Sequence, residues 1–168
     1  ELARRSGTSL RAHKAGAIAA QVRLGGLPGN PGPGAILAVP TAYMNVSGGP
    51  VKALMSFFSV PTQQLIVIHD ELDIDAGVVR LKRDGGEGGH NGLRSISGAL
   101  GTKDYHRVRV GIGRPPGRMD PADYVLRDFS PVERKELPFV LSAAADAVEL
   151  LVLRGLVDAQ QQVHAPRG

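Results

Sequence analysis

Apolar residues along this 168-residue chain follow two periods, which predict alternating strands and helices. Continuous or alternating apolar runs of strand length predict five strands, at residues 17–23, 35–39, 65–68, 78–82 and 107–112. Helical spacing predicts α-helices at residues 51–58, 93–100 and 120–126, and a long one from residue 131 to near Gly155. Strands mixed with helices predict one α/β domain over residues 1–168, a sandwich in which a central mixed sheet carries helices on both faces.

Two local signals refine this prediction. Ser130, Pro131 and Glu133 form a capping box that starts the long helix, and Pro138 inside it predicts a kink. The enlarged Gly/Pro-rich connection at residues 25–34 includes Gly29-Asn30-Pro31-Gly32, which we interpret as a turn.

A glycine-rich loop precedes the helix predicted at residues 93–100. It reads Gly-Gly-Glu-Gly-Gly-His-Asn-Gly over residues 85–92 and places His90 and Asn91 at the start of that helix. Spare N–H groups and the helix dipole favour anions at such a position. The alternative is a flexible glycine linker, but this segment has no serine or threonine.

Positive charge is concentrated in the middle of the chain. The net charge is +4, yet residues 77–118 contain nine Lys and Arg residues against three acids. Strand alternation places Arg80 and Lys82 on one face of their strand, and Arg107 and Arg109 on one face of another. Such a localised basic surface favours a phosphate-bearing partner.

Polar side chains also follow two of the predicted strands, where α/β proteins often assemble sites. Tyr43, Met44 and Asn45 follow the second strand, and Asn45 is suited to hold an ester carbonyl or a ribose hydroxyl, or alternatively to cap a helix. Asp70 follows the most apolar strand, where a carboxylate can orient an imidazole and stabilise its charged form. The neighbouring acids favour a metal site only weakly.

Several classes of protein are excluded. The chain has no cysteine, so it has no disulfide framework, no thiolate zinc site and no cysteine nucleophile. The motifs of serine hydrolases, P-loop NTPases and dinucleotide-binding domains are missing. We see no apolar run of membrane-spanning length and no signal peptide, so we expect a cytoplasmic protein.

Four motifs in order resemble those of the bacterial-type peptidyl-tRNA hydrolase family. They are Pro-Thr-Ala-Tyr-Met-Asn-Val-Ser-Gly (40–48), Ile-His-Asp-Glu-Leu-Asp (68–73), Gly-Gly-Glu-Gly-Gly-His-Asn-Gly-Leu (85–93) and Arg-Val-Arg-Val-Gly-Ile-Gly-Arg-Pro (107–115). The resemblance covers essentially the whole chain. It implies a monomeric α/β enzyme that cleaves the ester joining a peptide to the terminal ribose of tRNA, without metal or cofactor.

The resemblance also implies roles for individual residues. Asn45 and Asn91 would hold the substrate around the ester, and Tyr43 would line the same cleft. Met44 would pack against the peptide or ester region, and His90 would lie beside the peptide channel. Asp70 would support the basic form of the catalytic histidine. The tRNA phosphates would contact the surface cations Arg80, Lys82, Arg107 and Arg109.

The chain departs from the family pattern at its front. The family's general base is a histidine in a Thr-Arg-His-Asn stretch, and this sequence has no counterpart. Residues 2–5 resemble the last turn of a helix, so we expect the first strand and most of the first helix, roughly 25 residues at typical element lengths, to be missing. Two alternatives remain: a non-catalytic RNA-binding protein on the same scaffold and a nucleotide-binding α/β domain.

Overall fold

The computed structural model describes residues 1–166, and the chain divides into two compact units. The first unit comprises Glu1–Ile66 and Arg83–His106, and the second comprises Val67–Lys82 and Arg107–Gly168. Both units combine strands with helices, which confirms the predicted α/β class. The single domain and the helices on both faces of one central sheet stay predictions.

The first unit contains a small antiparallel sheet and three helices. Its strands lie in the order β1-β2-β3, and its helices α2 and α3 pack on each other. The elements are α1 (Leu2–Arg5), β1 (Arg11–His13), β2 (Ala17–Arg23), β3 (Gly34–Pro40), a 3-10 turn (Met44–Val46), α2 (Gly48–Phe57), a second 3-10 turn (Thr62–Gln64) and α3 (Asn91–Leu100).

The enlarged connection between β2 and β3 contains a turn at residues 27–30, which overlaps the predicted turn at residues 29–32 only in part. Leu27 and Asn30 exchange two backbone hydrogen bonds, of 2.7 and 2.8 Å, so the segment folds back on itself. The two strands it joins pair in register from Ala17 opposite Pro40 to Arg23 opposite Gly34. The connection therefore closes an antiparallel hairpin.

The second unit is organised around a mixed three-stranded sheet in the order β4-β6-β5. Backbone hydrogen bonds advance in the same direction along β4 and β6, from Leu65 with His106 to Glu71 with Ile112, so these strands are parallel. They advance in opposite directions along β5 and β6, which are antiparallel. The elements are β4 (Ile66–Glu71), β5 (Val79–Arg83), β6 (His106–Gly111), α4 (Pro121–Leu126), α5 (Pro131–Arg154) and α6 (Leu156–Val163).

The long helix α5 begins with the predicted capping box. The Ser130 hydroxyl accepts from the Glu133 N–H at 3.2 Å, and the Glu133 carboxylate accepts from the Ser130 N–H at 2.6 Å. These hydrogen bonds hold the pKa of Glu133 below its usual value. The helix is continuous from Pro131 to Arg154 and accommodates Pro138 inside it.

The apolar stripe predicted for α5 is buried only in its C-terminal half. Ala147 and Val148 are buried there, whereas Leu141 is 47% exposed in the first half. Strand β1 and helix α6 were not predicted, because β1 is only three residues long and α6 follows directly on the glycine that ends α5. Within residues 1–166, no helix has the length and apolar character needed to cross a membrane.

Candidate functional site

The 3-10 turn that follows β3 presents three of the candidate residues to solvent. Tyr43 precedes it with 86% of its surface exposed, and Met44 is 48% exposed. Asn45 lies inside the turn and is exposed, whereas the residue that precedes α2 is Ser47. The alternative that Asn45 caps a helix is therefore wrong, and its amide faces solvent.

The turn is attached to α3 through the start of α2. The Gly48 N–H donates to the Ser95 hydroxyl at 2.9 Å, and a Cβ on Gly48 would lie 2.1 Å from the Ser95 carbonyl oxygen. Because the two helix backbones touch here, only glycine fits. This contact fixes the position of the 3-10 turn relative to α3.

The glycine-rich loop runs into the N-terminus of α3, as predicted. The helix begins at Asn91, and His90 caps it by accepting the Leu93 N–H at Nδ1, at 3.2 Å. This bond requires a lone pair on Nδ1, so the neutral His90 ring carries its proton on Nε2. Asn91 is exposed in the first turn, where backbone N–H groups lack helical acceptors.

The side chains of Met44 and His90 both pack against Gly92. A Cβ added to Gly92 would lie 2.9 Å from both Met44 Cγ and His90 Cε1, so these two side chains occupy the space that glycine leaves open. The structure thereby brings the first and third of the four sequence motifs together. Asn45 follows Met44 along the chain, and Asn91 follows His90.

Glu87 anchors the glycine-rich loop, a role that the sequence reasoning missed. Its carboxylate lies 3.3 Å from Lys103 Nζ, and its carbonyl accepts the His90 N–H at 3.0 Å. Burial acts to raise the pKa of Glu87, but hydrogen bonds from its own backbone, Lys103 and Ser97 outweigh it and lower that pKa. The sequence signal that could have predicted this anchor is that Glu87 is the single acid in a loop of glycines. The loop is thus tied down at Glu87, which argues against a flexible linker.

Asp70 lies in the second unit, near the end of β4. The strand extends through His69 and Asp70 to Glu71, beyond the predicted end at Ile68. Asp70 is half-buried, and its main-chain oxygen lies 2.7 Å from Nδ1 of the buried His69. The proposed support of a catalytic imidazole by the Asp70 carboxylate stays a prediction.

The other acids near Asp70 pair with arginines. Glu71 Oε1 lies 3.2 Å from Arg109 Nη2, and Asp73 Oδ1 accepts from Arg114 Nε at 2.7 Å. Within residues 1–166 there is no group of three or more His, Asp and Glu side chains placed to hold a metal ion.

The basic surface of the second unit consists of three of the four predicted cations. On β5, Arg80 and Lys82 are half-buried and alternate with Val79 and Leu81, which are buried. On β6, Arg109 keeps 24% of its side-chain surface exposed beside Glu71. We call Arg80, Lys82 and Arg109 the basic strand surface.

Arg107 does not belong to this surface, and its prediction as an accessible cation was wrong. Arg107 and Val108 have no exposed surface although neighbouring strand residues face opposite sides. Strand β6 is the middle strand of its sheet, and its first half is covered on both faces. Alternation of charge reports accessibility only where one face of a strand meets solvent.

Comparisons with known proteins agree with these motifs. The chain matches the family described as Peptidyl-tRNA hydrolase over residues 1–168. It is 62% identical to the Peptidyl-tRNA hydrolase of Kineococcus radiotolerans, covering 99% of this chain and 84% of the relative, and 56% identical to that of Mycolicibacterium smegmatis, covering 98% and 83%. A crystal structure of peptidyl-tRNA hydrolase from Acinetobacter baumannii superposes with a TM-score of 0.85 at 33% identity, over 99% of this chain and 82% of that one. From its sequence and its fold alike, the chain belongs to the peptidyl-tRNA hydrolase family.

Proposed function

We propose that this protein hydrolyses the ester bond of peptidyl-tRNA, so that water adds across the bond to give a free peptide carboxylate and a tRNA with a free ribose hydroxyl. Membership of the family supports this reaction. The observation that carries it in the structure is the packing of Met44 and His90 above Gly92 at the N-terminus of α3.

Asn45 and Asn91 are the proposed ligands of the ester. An asparagine amide both donates and accepts hydrogen bonds, so one residue can hold the ester carbonyl and the other a ribose hydroxyl. When water attacks, negative charge develops on the carbonyl oxygen. Donors placed at a helix N-terminus stabilise such charge more than they stabilise the neutral ester, which lowers the barrier.

Four other residues have supporting roles in this proposal. Tyr43 lines the cleft as an exposed aromatic side chain, and Met44 offers an apolar surface to the peptide. His90 lies beside the peptide, with its ring proton on Nε2. Asp70 supports the charged form of a general-base histidine, for which the family motif has no counterpart in residues 1–168.

The basic strand surface is the proposed contact for tRNA phosphates. Arg80 and Lys82 project from the same face of β5, and Arg109 is partly exposed on β6. Lysine and arginine contacts to phosphate release counterions and provide affinity without reading sequence. We also propose that the protein acts as a monomer in the cytoplasm.

The proposal is tested by peptide release from peptidyl-tRNA. Asn91→Ala and Asn45→Ala are each expected to cost about 1–3 kcal/mol of transition-state stabilisation, because a desolvated ester loses a hydrogen bond. Asn30→Ala is the matched control, since it makes the same chemical change in the exposed turn between β2 and β3. A metal chelator is expected to leave the rate unchanged.

The competing function is RNA binding without hydrolysis. It predicts that the protein binds tRNA with no peptide release and that the two asparagine variants resemble the wild type. That result would refute the proposed hydrolysis. Loss of turnover in Asn45→Ala and Asn91→Ala, with tRNA affinity preserved, would support it.

A further inference from the structure

The end of helix α6 contacts the middle of strand β5 through one residue. The Leu81 N–H donates to Nε2 of His164 at 2.9 Å, and the Leu81 carbonyl accepts from Nε2 of Gln160 at 3.0 Å. Gln160 and His164 are four residues apart, so their side chains lie on the same side of the helical turn. Both peptide groups of Leu81 are thereby held by side chains.

These hydrogen bonds occupy the free edge of the sheet. Strand β5 is the last strand in the order β4-β6-β5. The backbone groups of Val78 and Asp84 bond toward β6, so those of Leu81, at the opposite parity, point to the edge. His164 and Gln160 therefore take the place of a neighbouring strand at this residue.

Leu81 lies between the two cations of β5. Its side chain is buried, and Arg80 and Lys82 on either side project from the other face of the strand. Fixing the peptide groups of Leu81 fixes the backbone from which both cations project. Pre-ordered cations lose less conformational freedom when they bind a phosphate.

We propose that His164 and Gln160 are positioning residues for tRNA binding, which hold β5 so that Arg80 and Lys82 face the phosphates, and that protonation of His164 releases this hold. The inference rests on the proposed function and adds a second element, α6, to the binding of tRNA.

The protonation state of His164 decides whether the contact exists. Nε2 accepts the Leu81 N–H only through its lone pair, and protonation replaces that lone pair with a second donor. Burial lowers the pKa of His164, as do the positive charges of Arg80 on β5 and Arg109 on β6; Arg109 is itself paired with Glu71. The folded protein thus favours neutral His164.

The direction of the pH effect follows from that shift. Since the folded pKa lies below the ordinary histidine value of 6.5, the contact is fully present above pH 6.5. It is lost as the pH falls from 6.5 through the folded pKa. If His164 merely supplied charge, acid would have the opposite effect and strengthen the binding of tRNA phosphates.

The test compares substitutions at Gln160 and His164 with a control substitution at a neighbouring position. Gln160→Met removes the donor at similar volume, His164→Phe removes the acceptor, and His164→Gln keeps an acceptor that does not titrate. Gln161→Met is the control, because Gln161 is exposed on the same helix. At pH 7.5, Gln160→Met and His164→Phe are each expected to raise KM for peptidyl-tRNA about fivefold, the size of one lost hydrogen bond, with kcat and the control unchanged.

The pH profile separates positioning from a merely structural role. Wild-type affinity for tRNA is expected to fall between pH 7.5 and 5.5, and His164→Gln is expected to bind with little change over that range. The protection factor of the Leu81 amide hydrogen, which is its intrinsic exchange rate divided by the rate observed by NMR, is expected to fall in wild type as the pH is lowered. This measurement applies even where His164→Phe fails to fold.

The inference is overturned if the affinity of His164→Gln falls with pH as the wild type does, or if wild-type affinity rises in acid. It is also overturned if KM is unchanged in Gln160→Met. In these cases a loss of tRNA binding in Arg80→Ala would leave the proposed function standing. If the wild-type protein releases no peptide from peptidyl-tRNA, that result refutes the proposed hydrolysis itself, on which the inference about His164 and Gln160 rests.

Discussion

Two regions of the molecule are built on different principles. One is the cluster of Met44, His90 and Gly92 in the first unit, and the other is the basic strand surface in the second. In the first unit, backbone contacts at Gly48 and side-chain contacts at Gly92 determine where Met44 and His90 lie. In the second, cations project from strands, and the position of each strand in the sheet decides which of them reach solvent. Contacts at the glycines determine where particular side chains lie, whereas strand alternation determines only from which face of the sheet a side chain projects.

The largest effect is expected where the first unit depends on a backbone contact. Gly48→Ala places a methyl group 2.1 Å from the Ser95 carbonyl oxygen, so α2 and α3 must separate. We expect a loss of about 3 kcal/mol or more in the free energy of unfolding, at the upper end of overpacking, measured by chemical denaturation.

Gly49→Ala is the control for that prediction. Its added Cβ meets no atom within 4 Å, and Gly49 lies inside the same helix. Alanine is the better helix former, so Gly49→Ala is expected to stabilise by about 0.5–1 kcal/mol. Equal destabilisation by both changes would show that the helix contact at Gly48 is not the cause.

A second substitution separates stability from the chemistry of the same cluster. In Gly92→Ala the added Cβ would lie 2.9 Å from Met44 Cγ and His90 Cε1, which are side-chain atoms that can move. We expect little change in stability, because alanine favours the helix while the His90 cap weakens. We expect kcat/KM for peptidyl-tRNA to fall by up to about 100-fold, as displaced active-site groups can cause.

Gly98→Ala tests the same helix away from the cluster. Nothing lies within 4 Å of its added Cβ, so the variant is expected to keep full activity. Retained activity in Gly92→Ala would mean that Met44 and His90 do not have to hold their observed positions during the reaction.

The two regions also differ in how much of them the sequence predicted. Strand β2 was predicted at its observed bounds, and the loop at residues 85–92 does enter a helix at Asn91. These features depend on local signals, namely apolar period and glycine spacing. Met44 and His90 both lie beside Gly92 although Met44 comes from a distant part of the chain, so only the family resemblance had placed them in one site.

The errors have a common physical origin in tertiary packing. Arg107 was predicted to be accessible because it alternates with Val108, but both faces of β6 are covered at that point. The contact of His164 with the Leu81 N–H was not predicted either, because it joins positions 83 residues apart along the chain. Alternation and chain position do not report what packs against a strand.

The smallest effect is expected from the basic strand surface, where Arg109 and Arg107 form a matched pair on β6. Arg109→Ala removes a partly exposed cation and is expected to flatten the plot of log tRNA affinity against log salt by about 0.7–0.9. Arg107→Met keeps an unbranched side chain of similar length in the buried site but removes the guanidinium together with its interactions. It is expected to cost about 1–3 kcal/mol in the free energy of unfolding and to leave the salt dependence of binding unchanged. A reduced salt slope in folded Arg107→Met would show that buried charge on the middle strand also contributes to phosphate binding, and the distinction between the two arginines would then fail.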